Sequence, residues 1–261
     1  GGGGARPPRR AISPRMCTLI LLNRPDHEWP ILVAANRDER ADRAWDAPAA
    51  WWADYPGVIG GRDRSAGGSW MALGPHGVMA AALNRPGSLG PAPGKRSRGE
   101  LPLRAASAES AEAATEAMTR LDAGAWRPFN LVIADHRSAF YIEALGEGRP
   151  QAVALAPGLS MVTSHPPNDE SHPRTRRHLP RFRAAAAPEP TRGDWRAWEE
   201  RLADDSHEGD LAATLKVPLL NGYGTMCASL MGFGAMGQRL WRFCAAPPGE
   251  GVFQELEFSV L

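Results

Sequence analysis

Residues 17–40 begin Cys17-Thr18-Leu19-Ile20-Leu21-Leu22, pass through a polar segment from Asn23 to Glu28, and continue Trp29-Pro30-Ile31-Leu32-Val33-Ala34-Ala35-Asn36-Arg37-Asp38-Glu39-Arg40. Two apolar, β-prone runs separated by turn chemistry predict a β-hairpin at the head of a sheet. The second run ends abruptly in Asn36 to Arg40, which puts ionisable groups at a strand's end. Further strands are predicted over Val58 to Gly60, Ser69 to Leu73 and Val78 to Leu83, the last two joined by Gly74-Pro75-His76-Gly77. Arg85 to Arg98, crowded with Pro, Gly, Ser and base, reads as a long mobile loop. Ser107 can cap a helix reaching Leu121, and Asn130 to Ala134 and Ala139 to Ala144 form another hairpin. Gln151 to Leu155 and Leu159 to Ser164 read as strands, and Arg174 to Ala187 as a helix. Asp194 can cap a helix whose Trp195, Trp198 and Leu202 share a core-facing side. Thr225 to Met231, Gln238 to Phe243 and Val252 to Val260 return to strand. Strands first, helices in the middle and strands last predict an α+β domain of antiparallel sheets covered by helices, over residues 16–261.

The 261 residues, 43% hydrophobic and 23% charged, suffice for a packed core and exclude general disorder. Thirty basic residues against 29 acidic ones, a net charge of +1, argue against a nucleic-acid partner or a membrane surface held by a general positive field. No run reaches the roughly 18 apolar residues of a membrane span, so no integral membrane segment is expected. Residues 1–15, rich in Gly, Pro and Arg, predict a disordered N-terminal extension without signal-peptide character. Cys17, Cys227 and Cys244 cannot all pair and form no Cys-x-x-Cys step, which excludes a disulfide framework and a zinc ribbon and fits a reducing cytoplasm.

Several motifs favour a bland reading. Gly232-x-Gly234-x-x-Gly237 has dinucleotide-fingerprint spacing, but too little chain follows for the required helix and second strand, so a glycine-rich turn is expected. His165, His172 and His178 lie among Arg174, Arg176, Arg177, Arg181 and Arg183, match no metal motif, and read as a solvated basic face. Cys227 and Cys244, in predicted strands, read as small buried hydrophobes.

Cys17 differs because of its position. If the chain is trimmed after Met16, the Cys17 thiol and its own α-amine belong to one terminal residue. The amine titrates at about 7.7 to 8.0 and the thiol at about 8.5, so one residue can supply nucleophile and base.

Met16-Cys17, Val33-Ala34-Ala35-Asn36-Arg37-Asp38-Glu39, Gly67-Gly68-Ser69-Trp70, Arg98-Gly99-Glu100-Leu101, Phe129 to Asp135 and Tyr223-Gly224-Thr225 together resemble the NRDE family, also called the transport and Golgi organisation protein 2 family. The resemblance covers nearly all of the chain from Cys17. It implies an N-terminal nucleophile hydrolase-like fold, a four-layer αββα sandwich of two antiparallel sheets. A more distant similarity to choloylglycine and penicillin V acylases implies a cysteine nucleophile at Cys17. It also implies an oxyanion donor at Asn84, at the end of the run from Val78 to Leu83. Arg37 would favour the thiolate and Asp38 would orient the α-ammonium, with Asn36 and Glu39 sharing these tasks. Strand alternation sends Asn36 and Asp38 to one face and Arg37 and Glu39 to the other, and the sequence leaves open which pair faces the site.

Two departures stand out. Met226-Cys227-Ala228-Ser229 follows Tyr-Gly-Thr where the family often has arginine and an asparagine, and Ser164 stands in the place of a second acylase asparagine. Two functions follow from the resemblance. One is hydrolysis of a carboxamide or related acyl bond of a small molecule, with no metal or cofactor. The other is non-catalytic binding and trafficking of haem or a lipid-related ligand in the same cleft, with Cys17, a histidine of the basic segment or Met226 on the haem iron.

Overall fold

The structure, a computed structural model, describes residues 16–257. The extension over residues 1–15 and the tail of the last expected strand lie outside that range. The first half of the chain forms β1 (Thr18–Asn23), β2 (Ile31–Arg40), β3 (Trp45–Ala49), β4 (Ile59–Asp63), β5 (Ser69–Leu73) and β6 (Met79–Asn84). Helices α1 (Glu100–Ala106) and α2 (Ala111–Thr119) follow, then β7 (Phe129–Ala134), β8 (Ala139–Ala144), β9 (Gln151–Ala154) and β10 (Gly158–Val162). The last part holds α3 (Pro173–Ala184), α4 (Arg196–Leu202), β11 (Tyr223–Phe233), β12 (Arg239–Cys244) and β13 (Gln254–Glu255).

Two antiparallel sheets result. One runs β10-β1-β2-β11-β12-β13 and the other β3-β4-β5-β6-β7-β8-β9. The uninterrupted apolar runs of β1 and β2 follow from a sheet buried on both faces. Leu19, Leu21, Ile31 and Val33 pack against Met71, Met79, Leu83 and Val132 of the other sheet. Ile20, Leu32 and Ala34 pack the opposite way, against Leu179 and Phe182 of α3 and Trp198 and Leu202 of α4. The second sheet does the same, with Leu131, Ile133 and Ile142 covered by Leu101 of α1 and Ala114 and Met118 of α2. The layers are therefore αββα, the sandwich that the resemblance implies.

Four local readings change. β2 does not stop at Asn36. β11 pairs along its edge as far as Tyr223 opposite Arg40, so the backbone groups of the charged segment find ladder partners. Ser110, not Ser107, caps α2, accepting from the N–H of Ala113 at 3.1 Å, and Ser107 ends the separate helix α1. β3 was not expected. Residues 85–98 are tied down rather than loose: Arg127 donates to the carbonyl of Gly87 at 2.6 Å, and Arg98 donates to Ser88 Oγ at 2.8 Å. The Gly232 to Gly237 string spans the end of β11 and its turn into β12, with Gly237 at φ +84°.

The basic segment is only partly solvated. Arg174, His178 and Phe182, four residues apart along α3, form a buried stripe, while Arg176 and Arg183 face out. His178 bonds the carbonyl of Ala213 at 2.8 Å, and neither ring nitrogen of buried His172 has a hydrogen-bond partner among the described residues. Burial pushes His172 and His178 down to about 4. Both stay neutral in the folded chain and take up protons nearer 6.5 when unfolded, so their contribution is complete above about pH 6.5 and is lost as the pH falls towards 4. Asp38, pushed up to about 6 by burial, acts in the opposite sense, one group against two. The urea midpoint is expected to fall from pH 6.5 to 4, and less steeply in His172→Phe. An identical pH dependence in variant and parent would contradict this. Among the described residues, no helix is long and apolar enough to cross a membrane.

Candidate active site

Cys17 stands one residue ahead of β1 and continues the alternation of Leu19 and Leu21, so its side chain faces the other sheet. It is half-buried, with its sulfur 3.7 Å from the carbonyl oxygen of Asp38. A pocket of about 350 Å³, its open mouth included, lies there. Cys17, Ala35, Arg37 and Cys227 of one sheet face Trp70, Met71 and Leu83 of the other across it.

The alternation along β2 is resolved. Arg37 and Glu39 take the inter-sheet side. The Arg37 guanidinium stacks on Trp70 at 4.2 Å, and its Nη2 lies 3.6 Å from Glu39 and 3.9 Å from Asp63. Its Nη1 is buried without a hydrogen-bond partner among the described residues. Arg43 bonds Asp63 at 2.6 Å and lies 3.7 Å from Glu39.

Asn36 and Asp38 take the helix side. Asn36 Nδ2 donates to the carbonyls of Leu202 at 3.0 Å and Leu215 at 3.3 Å, so its amide is committed to the helix layer. Asp38 accepts from Thr225 Oγ1 at 2.6 Å and pairs with Arg174 Nη1 at 3.2 Å, while the Tyr223 hydroxyl donates to its carbonyl at 2.8 Å. Arg174 is fully buried. The same Nη1 donates to Thr18 Oγ1 at 2.9 Å and to the carbonyl oxygen of Met16. Met16 is itself buried, and Ser164 Oγ donates to its Sδ. The Asp38–Arg174 pair thus grips the peptide group immediately before Cys17.

Burial is the main force on the Cys17 thiol and pushes it up to about 12, with Asp38 adding to the rise. The bond to the Asp38 carbonyl and the charge of Arg37 pull the other way and are outweighed. With Met16 attached, Cys17 is a thiol at neutral pH. Burial pushes Asp38 up to about 6, against the pull of Arg174 and Thr225. Cys227 is also pushed up to about 12 by burial, in keeping with a small buried hydrophobe, although it borders the pocket.

Asn84 is the last residue of β6, half-buried, and no described residue bonds its side-chain amide. Leu83 lines the pocket, and alternation turns Asn84 the other way at the strand's end. Met226, at the departure from the family pattern, is the extra residue of a β-bulge: Thr225 pairs with Asp38 and Cys227 with Arg37. Beside Ser164, the carbonyls of Thr163 and His165 accept from Asn130 Nδ2 at 2.9 and 3.1 Å.

Of the residues suggested as haem ligands, Cys17 lines this pocket. Met226 and His165 are absent from its walls, and His165 and His172 stack on each other with ring centroids 4.7 Å apart.

Sequence reasoning missed Arg174, Thr225, Trp70 and Arg98 as site neighbours. A signal for Arg174 existed in its four-residue spacing from His178 and Phe182, which marks a buried helix face even when two of the three residues are polar. Thr225 and Arg98 lie within blocks that carry the family resemblance but have no local chemical signature.

Among solved structures, the chain is similar to a Caenorhabditis elegans N-acylethanolamine-hydrolyzing acid amidase (NAAA) ortholog, with a TM-score of 0.52. The identity is 12%, over 82% of this chain and 92% of that one. At that identity the likeness establishes the N-terminal nucleophile hydrolase-like fold alone. No curated protein matches the sequence. The blocks that build the hairpin, the Arg37–Trp70 stack and the Tyr223–Asp38 contact all fall in residues 16–231, which match the family described as Transport and Golgi organisation 2, and the chain belongs to that family.

Proposed function

We propose that this protein is a cysteine amidohydrolase that becomes competent when the chain is cut after Met16, and that it acts on a carboxamide or related acyl bond of a small molecule. The observation that carries this reading is a half-buried Cys17 thiol on the wall of an inter-sheet pocket, with the peptide group before it held by Arg174. While Met16 is attached, the nitrogen of Cys17 is an amide and cannot accept the thiol proton. Once released it is an amine titrating at about 7.7 to 8.0, a few bonds from the sulfur. Asp38, on the strand that pairs with β1, orients the resulting ammonium, and Arg37 favours the thiolate.

The reaction follows from these roles. The Cys17 sulfur attacks the acyl carbonyl as the amine takes its proton. Asn84, the last residue of β6, holds the negative oxygen once its side chain swings round the strand's end towards the pocket. The amine then protonates the departing nitrogen, which leaves a thioester on Cys17, and water cleaves the thioester to a carboxylic acid. Glu39 keeps Arg37 in place, and Ser164, freed of Met16, borders the space that Met16 leaves. Asn36 acts at a distance, by anchoring β2 to the helix layer.

The test compares chains that begin at Met16 and at Cys17, each treated with an activated acyl ester and analysed by intact mass. The chain beginning at Cys17 is expected to gain one acyl group at that residue at neutral pH, at least about tenfold faster than the chain retaining Met16. Equal rates in the two chains would refute the role of the α-amine.

A further inference from the structure

Asn130 ties the two sheets together beside the pocket. In the register of β6 and β7 it pairs with Leu83, a pocket wall, so its side chain takes the same face, towards the first sheet. The residue is fully buried, yet all four hydrogen-bonding positions of its amide are used. Oδ1 accepts from Arg85 Nη1 at 2.7 Å and from the Tyr141 hydroxyl at 2.8 Å, and Nδ2 donates to the carbonyls of Thr163 at 2.9 Å and His165 at 3.1 Å. Arg85 Nη1 also pairs with Glu143 at 2.9 Å. Burial pushes the Tyr141 phenol up to about 12, so its hydroxyl stays a donor near neutral pH. Donors on one side and acceptors on the other fix which way the amide points.

Each end of this cross-link stops one residue from the proposed chemistry. Arg85 follows Asn84 directly, and Asn84 pairs with Phe129, the neighbour of Asn130. On the first sheet, β1 and β10 pair Leu19 with Val162, and two residues further that register brings Ser164 level with Cys17. The two carbonyls held by Asn130 flank Ser164, whose Oγ reaches Met16. One side-chain amide therefore holds the strand end that carries Asn84 against the edge that carries Cys17. A shift of either end would leave buried polar atoms unpaired, so the gap between them is stiff.

We infer that Asn130, braced by Arg85 and Tyr141, is a positioning residue that sets the distance between the Cys17 nucleophile and the Asn84 oxyanion donor. This rests on the proposed hydrolase. Asn130 touches no reacting atom and acts through Asn84.

The experiment uses the chain beginning at Cys17 and compares two modifications of that residue, each located by peptide mapping. Acylation by an activated acyl ester builds negative charge on a carbonyl oxygen, whereas alkylation by iodoacetamide displaces iodide and needs no oxyanion donor. Asn130→Asp keeps the acceptor for Arg85 and Tyr141 but sets an oxygen against the two carbonyls. It is expected to slow acylation at least about tenfold while alkylation stays within about threefold. Arg85→Gln, which spares the buried amide, is expected to act in the same direction should Asn130→Asp not fold, and Arg85→Lys to restore part of the rate. In the Asn84→Ala protein, Asn130→Asp is expected to slow acylation by less than about a further threefold, because the donor it positions is gone. Acylation and alkylation slowed alike, or full effects of Asn130→Asp on top of Asn84→Ala, would overturn the inference. A parent that acylates while both variants keep its ratio of acylation to alkylation would overturn the inference alone. A parent that forms no acyl adduct would defeat the hydrolase and the inference with it.

Discussion

Cys17→Ala is expected to abolish acyl-amide turnover, by about ten-thousandfold or more in kcat, and to eliminate the acyl adduct seen by intact mass. Removing the nucleophile removes the covalent route altogether, and losses of that size or larger are usual when an enzyme loses such a group. Stability should change by about 1 kcal/mol or less, because the thiol is half-buried and its one hydrogen bond is a long contact to sulfur. A folded variant that keeps a tenth of the parent's turnover would place the chemistry elsewhere, with Cys227 the first alternative because it borders the same pocket. Alanine is preferable to serine for this test, since a terminal serine can itself act as a nucleophile beside its own amine.

Arg174→Met is expected to destabilise the fold by about 3 to 5 kcal/mol at pH 8. The substitution keeps the apolar stem and removes the cation, so Asp38 is left buried with Thr225 as its remaining side-chain partner. The loss should be smaller at pH 5. Asp38 is already pushed up to about 6 with Arg174 present, and without it the carboxyl titrates higher still. The folded variant then holds a proton that the unfolded chain releases near 4, so the variant loses stability as the pH rises through that interval. Adding Asp38→Asn should recover part of the loss, because a neutral amide tolerates the site better than an unpaired carboxylate. Urea midpoints of the four proteins at pH 5 and pH 8 measure all of this. A loss below about 1 kcal/mol, or one that is the same at both pH values, would show that the pair does not hold the head of β1.

The same pair bears on function. Its grip on the Met16 carbonyl ties the peptide group ahead of Cys17 to the helix layer, so the proposed trimming would free Arg174 Nη1 of one acceptor and bring a new ammonium close to Asp38.

Much of the architecture was legible in order and kind. The opening hairpin, the pairing of Val78 to Leu83 with its neighbours and the buried Trp195 and Trp198 at the head of α4 follow from apolar runs and turn residues that act locally. The extension of β2 through Asn36 to Arg40 was not legible, because the partner that stabilises those backbone groups is β11, almost two hundred residues later in the chain. The buried Arg174 was obscured for a similar reason. A charge run looks solvated unless the carboxylate and the carbonyl that accept its hydrogen bonds are known, and Asp38 and Met16 lie far away in sequence.

By itself, the sequence determined the sandwich's strand and helix alphabet, the family, and Cys17 as the residue whose position matters. Hydrophobic periodicity and turn chemistry are short-range properties written in consecutive residues. Only the tertiary structure decided that Arg37 and Glu39 face the cleft while Asn36 and Asp38 face the helices. It also decided that Met16 is held in place. Facing and charge balance depend on what the opposite sheet and α3 bring to the same point in space, and alternation along one strand cannot specify that.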